Sequence, residues 1–443
     1  MALPAHPGRP TDPAARTALL VAAFDSQLKW CAGIRDELQR RGFSSRVVVP
    51  DTRSALSPQQ VRDAGFAQVD RLPWDELVRA CLSSDVVVSS LAGPSTHRLS
   101  RAVATALDAS GTGDGPGHGP GAGPVLVSGW VGIIIEKITA GYLDRSGTDV
   151  VAVNSTGDLE HFVSTGGTLG IPTDNLVLSG LPFLSADPLP ARGGPVSTVL
   201  YADQPTVPAS AAERSYVYRR LVEHARLHPD REVLLKPRHR RGEDTFHRMS
   251  HHPVDLLPAG DLPGNFRIVH TPIIELLPRV DLLVTMSSTA CLEALDHGTR
   301  VALVLDLGVH ERHGNHVFVD SGLLRTFDQI DGGDLGEPSP RFVESWFGRR
   351  HSPAPVVIAD RVEALLASGH RPARDVWHSA YFRSAVDLHD PPVDRGPRWM
   401  TRAWARRIEA HGPVRGTAAY GATVLLPPAV VIPVRRFAAS RRG

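Results

Sequence analysis

The sequence predicts an α/β protein built from two consecutive parallel-sheet domains, and three observations carry that prediction. Short apolar runs alternate with amphipathic stretches along most of the chain, the pattern of βα units on a parallel sheet. The pattern breaks once, at a Pro- and Gly-rich stretch over residues 182–195, and then restarts. The length, 443 residues, is too great for one compact core and suits two.

In chain order, a first strand is predicted over 18–24 (ALLVAAF), followed by a helix over 27–41 with Leu28, Cys31, Ile34 and Leu38 on one face. Strands follow at 46–49 and 85–89, a helix at 97–107, then strands at 125–128, 150–153 and 176–178. The segment 111–123 (GTGDGPGHGPGAG) reads as a surface loop. It lacks the GK[ST] ending of a phosphate cradle and precedes a strand. After the break, strands are expected at 198–202, 232–236, 266–269, 282–285 and 301–305, with helices at 209–227, 273–279 and 288–296, the last stopped by Gly298. Beyond Arg361 the chain reads as mostly helical, carries Trp377, Trp399 and Trp404, and is expected to cross back to the first domain. The expected organisation is a disordered leader at 1–16, a first domain at 17–182, a linker at 183–196, a second domain at 197–370, and a helical segment with a basic tail at 371–443.

Composition narrows the function. Hydrophobic residues make up 42% and charged residues 21%, and the formal net charge is +1, so no global field draws the chain onto nucleic acid. Three cysteines, Cys31, Cys81 and Cys291, are far apart and form no CxxC pair, which excludes a disulfide framework or zinc knuckle and fits a reducing cytosol. The N-terminal segment has no apolar h-region and does not read as a signal peptide. The apolar run at 417–434 is interrupted by prolines and followed by arginines. It reads either as an interfacial tail for an anionic inner membrane face or as a packed or disordered end. Among 48 basic residues only Lys29, Lys137 and Lys236 are lysines. A lysine that persists in so arginine-rich a chain points to a need for a compact point charge.

In parallel sheets, ligands bind beyond the carboxyl ends of the strands, so the loops there hold the candidates. The strongest is LLVTMSSTACLEALDHGTRVALVLD, 282–306, where a buried strand runs into Ser287, Ser288 and Thr289 at a helix start. Hydroxyls, free N–H groups and a positive helix end suit an anion, and Glu293 follows on the same helix; the plainer alternative is a helix cap. In EVLLKPRHRRGEDTFH, 232–247, Lys236 ends a strand, Pro237 forces an extended exit, and Arg238, His239, Arg240 and Arg241 crowd behind. A phosphate-binding edge or a solvated basic turn fits. Asp203 and Gln204 follow the first strand of the second domain and suit a base or sugar, or a turn. Asp25 follows the first strand of the chain, with Lys29 beside it, as a general base or a helix N-terminal acid. In SGWVGIIIEKITAGYLDRSGTD, 128–149, Gly129 and Gly132 permit close backbone approach, and Glu136, Lys137 and Arg145 are expected to line the cleft. Glu136 is the rival base. The histidines of HERH (310–313) and His316 match no known zinc spacing, and no metal ligation is expected.

Taken together, strand–KPR followed by strand–SST–helix with Glu293 resembles the nucleotide-binding half of GT-B transferases. It is similar to bacterial sialyl- and polysialyltransferases that use CMP-sugars, capsule 3-deoxy-octulosonate transferases, and CDP-glycerol glycerophosphotransferases. The segments ADQPTVP and KPRHRRGEDTFH are similar to those of a group of actinobacterial glycosyltransferases, and the resemblance spans 18–346. It implies two Rossmann-like domains with parallel sheets facing a central cleft, the acceptor on the first and a nucleotide sugar on the second. It also implies donor phosphate held by Ser287 and Ser288, no metal, and no cofactor beyond the nucleotide-sugar substrate. Two departures stand out: lysine replaces the family's histidine in the "HP" pair at Lys236-Pro237, and the sialyltransferase carboxylate pair before glycine is absent, leaving Asp25 at that place. The implied activity is transfer of a sugar, CMP-sugar favoured, to a cell-envelope glycan or lipid-linked acceptor by a cytoplasmic or membrane-associated enzyme that binds no nucleic acid. A nucleotide-sugar epimerase of the same fold and a non-catalytic glycan- or membrane-binding protein are the alternatives.

Overall fold

A computed structural model describes residues 16–51, 56–109, 123–185, 188–241, 249–348, 352–384, 412–415 and 417–418. The expected leader (apart from Arg16), most of the Gly-rich loop, Trp399, Trp404 and nearly all of the 417–434 run lie outside these residues. The chain divides into two compact units, Met1–Ser384 and Ala385–Gly443. Within the first unit lie two all-parallel sheets.

The first sheet is built from β1 (Thr17–Val21), α1 (Asp25–Arg40), β2 (Ser44–Pro50), α2 (Pro58–Asp63), β3 (Asp70–Leu72), α3 (Trp74–Leu82), β4 (Val86–Ser89), α4 (Gly93–Ala109), β5 (Val125–Gly129), α5 (Ile138–Arg145), β6 (Val150–Val153), α6 (Thr156–Leu169) and β7 (Leu176–Leu178). Its seven strands run in the order β3-β2-β1-β4-β5-β6-β7. The second sheet uses β8 (Thr198–Ala202), α7 (Ala211–Leu227), β9 (Glu232–Lys236), α8 (Pro253–Leu256), β10 (Phe266–Ile268), α9 (Ile273–Leu276), β11 (Leu282–Thr285), α10 (Ala290–Asp296), β12 (Arg300–Val304) and β13 (Leu324–Arg325), in the order β10-β9-β8-β11-β12-β13. Helices α11 (Phe327–Asp331), α12 (Pro340–Phe347), α13 (Ala354–Ser368), α14 (Pro372–Trp377) and α15 (Ala380–Ser384) complete the unit.

The central strands are mostly apolar because both faces are covered. Leu20, Val88 and Val127 point into one core with α1, while Leu19, Val21, Val87 and Leu126 point into the other. The predicted apolar face of α1 is fully buried: Leu28, Cys31, Ile34 and Leu38 have no exposed surface. Trp30 is buried with them, and a Cβ on Gly129 would lie 2.6 Å from its ring, so β5 must end in glycine for the indole to fit.

Two boundaries differ from expectation. The helix predicted at 288–296 starts at Ala290, because Ser287 and Ser288 are spent on the turn before it. The second domain was expected to continue to 370, but α13 already belongs to the first sheet. Its Ile358, Ala359, Val362 and Leu365 sit in the same core as α1, and Arg41 of the first domain pairs with Asp360 at 2.7 Å and Glu363 at 2.5 Å.

Each sheet reverses its strand order beside its first strand, between β1 and β4 and between β8 and β11. These are the topological switch points, and the loops leaving the strands there are where a ligand seats.

Candidate functional site at the facing strand ends

The end of β1 presents Asp25 as the first residue of α1, where an acid is favoured by the helix dipole. The end of β9 presents Lys236 and, two residues on, Arg238. The two sheets meet here: Arg238 Nη2 donates to Asp25 Oδ2 at 2.8 Å. Lys29, one turn along α1, and Glu293 on α10 are within electrostatic reach of Lys236, and Glu293 is also within reach of Arg238 and Lys29. Three cations and two carboxylates thus share one site.

Their protonation reflects it. Burial, followed by the positive charges of Arg238 and Lys29, pushes the Lys236 ammonium down to about 8, against the pull of Glu293 and Asp25. Burial pushes the Asp25 carboxyl up, but the charge and hydrogen bond of Arg238 and the Ser26 N–H outweigh it and hold Asp25 below its ordinary value. Burial raises Glu293 despite Lys29, Arg238, His297 and Lys236. His239 is buried, with its carbonyl accepting from His252 Nε2 at 3.2 Å; its charge acts on Asp25, but its backbone is built into the turn.

The Ser-Ser-Thr turn is built in from both sides. Ser287 is buried; its N–H donates to Gln204 Oε1 at 3.0 Å and its hydroxyl donates to the His313 carbonyl at 2.6 Å. Ser288 Oγ accepts the Ala290 N–H at 3.2 Å, a local cap. Thr289 Oγ1 accepts the Ile133 N–H of the first domain at 3.2 Å. A Cβ on Gly132 would come within 2.5 Å of Thr289 Oγ1, so glycine is what lets the 130–137 loop touch the second domain. That loop carries exposed Glu136 and Lys137, and Lys137 has a left-handed backbone (φ 56°), which non-glycine residues rarely adopt.

Two candidates change role. Asp203 was expected to face the cleft, but its carboxylate is fully buried. Arg214 Nη1 contacts its two oxygens at 2.8 and 3.0 Å, and Tyr218 donates its hydroxyl at 2.6 Å. Burial lifts Asp203 to about 6 even with Arg214 opposing. Arg145 was expected to line the cleft. Instead its guanidinium carbon sits over the Trp130 ring, 4.5 Å from the centroid, and it donates to the carbonyls of Gly129, Gly141 and Leu91, stapling the loops after β4 and β5. Both are positioning residues. Arg214 itself was not anticipated from the sequence, although it also donates to the carbonyls of Gln204, Pro205 and Pro208 and so shapes the loop that presents Gln204 to Ser287. Sequence offered one signal, an arginine on the helix directly after that loop.

Two parallel Rossmann-like sheets, with charged strand-end loops apposed at their switch points, define a protein of the GT-B class. Residues 18–365 match the family described as "Putative glycosyltransferase (DUF6716)", and the chain belongs to that family. A comparison with curated proteins finds no match. Among solved structures the chain is similar to the S. aureus MnaA–UDP co-structure (10% identity, TM-score 0.51, covering 80% of this chain and 97% of that one). It is also similar to the UDP-GlcNAc 2-epimerase from Neisseria meningitidis bound to UDP-GlcNAc (11%, 0.46, 79% and 100%) and to the calicheamicin glycosyltransferase CalG4 (15%, 0.40, 82% and 97%).

Proposed function

We propose that the protein is a glycosyltransferase that takes a sugar from a nucleotide-sugar donor, without help from a metal ion, and passes it to a hydroxyl of a cell-envelope glycan or lipid-linked acceptor. One observation carries the reading: Lys236 and Arg238 stand at a strand end of the second domain, and Arg238 reaches across to a carboxylate, Asp25, on the first. The acceptor oxygen attacks the anomeric carbon, the bond from that carbon to the phosphate oxygen breaks, and the electron pair leaves with the phosphate. Lys236 and Arg238 meet the charge that develops there, in a partly desolvated site where it counts most. Asp25 receives the acceptor proton.

Asp25 is a weak base while Arg238 holds it. A donor phosphate competes for Arg238, and the carboxylate gains basicity as that bond is given up, so donor binding precedes base action in this reading. Ser288 and Thr289 border the phosphate, Glu293 faces the ribose, and Gln204, anchored on Ser287, faces the base. Lys29 completes the cationic edge, with His239 behind it. Glu136 is the second candidate base and Lys137 an acceptor contact, supported by the strained loop that carries them.

The favoured donor is a CMP-sugar, by resemblance of the KPR and SST segments; UDP, present in the S. aureus co-structure, is the competitor. An epimerase would hydrolyse or invert its donor without an acceptor. Product analysis with CMP- and UDP-sugars, with and without lipid-linked acceptors, separates the two. Sugar incorporated into the acceptor supports transfer, and conversion of the donor that ignores the acceptor refutes it.

A further inference from the structure

Helix α7 carries His224 in its last turn and ends at His228, its C-cap, four residues on, with the two ring centroids 4.6 Å apart. Helix α11 packs beside it and brings in Asp331, whose Oδ1 lies 2.5 Å from His224 Nδ1. One ligand atom from each of the three residues lies within 4.8 Å of the other two. Arg220, a turn earlier on α7, orients this carboxylate through its other oxygen at 2.9 Å and also pairs with Asp328 at 2.7 Å.

The cluster holds an unfinished valence. His228 Nε2 is buried and has no hydrogen-bond partner. An imidazole nitrogen left so is costly, and a native structure needs a reason for it. His224 turns Nδ1 toward the Asp331 carboxylate, while its Nε2 accepts from Arg231 Nη1 at 3.4 Å.

We propose that His224, His228 and Asp331 form a binding site for a late first-row divalent cation, zinc above all, that pins α11 to α7. Two imidazoles and one carboxylate are the donor set zinc takes, with a water in the fourth position. Bonds of about 2.0–2.1 Å set ligands about 3.4 Å apart. His224 Nδ1 and Asp331 Oδ1, now 2.5 Å apart, open to that separation as the ion displaces the proton between them, and the remaining separations, within 4.8 Å, close toward it. Asp331, Asp328 and Glu223 offset the charge of Arg220 beside the ion. The site is remote from the chemistry: α7 begins at Ala211 by the cleft, and His224 lies thirteen residues along it, about 20 Å away at 1.5 Å per residue. Its role is structural, and it stands whether or not the glycosyltransferase reading does.

The test is isothermal titration of the metal-freed full chain with zinc, together with visible spectra of the cobalt-loaded protein. One equivalent of zinc, cobalt bands of a low-coordinate nitrogen–oxygen site, and a higher melting temperature with zinc are expected. His228→Ala, which removes no hydrogen bond, is expected to weaken zinc by about tenfold or more and abolish the thermal shift, and Asp331→Asn to act likewise. His310→Ala, in the exposed loop histidines, is expected to change neither. Absence of stoichiometric zinc binding, or affinity unchanged in His228→Ala, overturns the proposal.

Discussion

Arg214→Met is the substitution whose consequence follows most directly from the structure. Arg214 is 1% exposed, contacts both oxygens of a carboxylate with no exposed surface, and supplies three further hydrogen bonds to the carbonyls of Gln204, Pro205 and Pro208. Removing it strands Asp203 as a buried, uncompensated acid. Breaking one partner of such a pair costs about 3–5 kcal/mol, and roughly 2–4 °C of melting temperature per kcal/mol in large domains converts this to a drop of about 10 °C. Some of the loss is recoverable: Asp203 can bind a proton, since burial already lifts it to about 6, so the variant is expected to be less impaired at pH 5 than at pH 8. The sign is that of an acid raised in the fold, whose neutral form is the stable one. Its contribution is full below the ordinary carboxyl value and lost as pH rises through the folded value. Replacing the pair together, Asp203→Leu with Arg214→Met, removes the stranded charge and is expected to regain about half the loss. Calorimetric melts of the wild type, the single and the double variant decide it. A single variant that melts within a degree of wild type, or a double variant no better than the single, refutes the view that this buried pair holds the 203–208 loop.

Other outcomes follow from the site. Asp25→Asn is expected to lower kcat by about 10²–10⁴ while donor KM stays level or falls, because Arg238 is freed; Glu136→Gln is expected to lower kcat less than tenfold, and the reverse order of losses would make Glu136 the base. Lys236 loses its charge near pH 8 instead of at the ordinary lysine value, so nucleotide affinity is expected to fall between pH 7 and 9 in wild type; in Lys236→Arg the fall is absent, and a flat wild-type profile would remove Lys236 from the phosphate site. Gly132→Ala drives a methyl into Thr289 Oγ1 and is expected to cost about 1–3 kcal/mol of stability, whereas the companion Thr289→Ser/Gly132→Ala pair is expected to lose as much, since the clash is with the oxygen; thermal melts check both.

How much of this was legible from residues alone varies with burial. The strands at 150–153, 198–202, 232–236 and 282–285 lie where the apolar runs place them, because central strands of a parallel sheet are covered on both faces and leave an uninterrupted signal. The edge strand β3, Asp-Arg-Leu, carries no such run and is recognised only by its pairing with Val48–Pro50. Helix α13 shows an amphipathic pattern but cannot say which sheet it covers; its packing on α1 is a matter of tertiary contact. In the site, the residue types were legible and their partners were not. An acid after a strand reads the same whether it faces a ligand or an arginine eleven positions on, and only packing shows Asp203 to be the second case and Asp25 to be shared with Arg238, 213 positions away. His224 and His228 carry a helical ligand spacing, yet Asp331 is 107 residues from His224 and completes the cluster only in the fold.

If the facing strand ends bind a nucleotide sugar through Lys236 and Arg238, the nucleotide alone should bind there. Titration calorimetry of wild type and Lys236→Ala with CMP, CDP, UDP and GDP, in chelator to remove divalent ions, tests this. Binding of one nucleotide at micromolar affinity, weakened tenfold or more by Lys236→Ala, is the predicted result and identifies the donor class. No binding of any of the four up to millimolar concentration, or binding indifferent to Lys236, contradicts it.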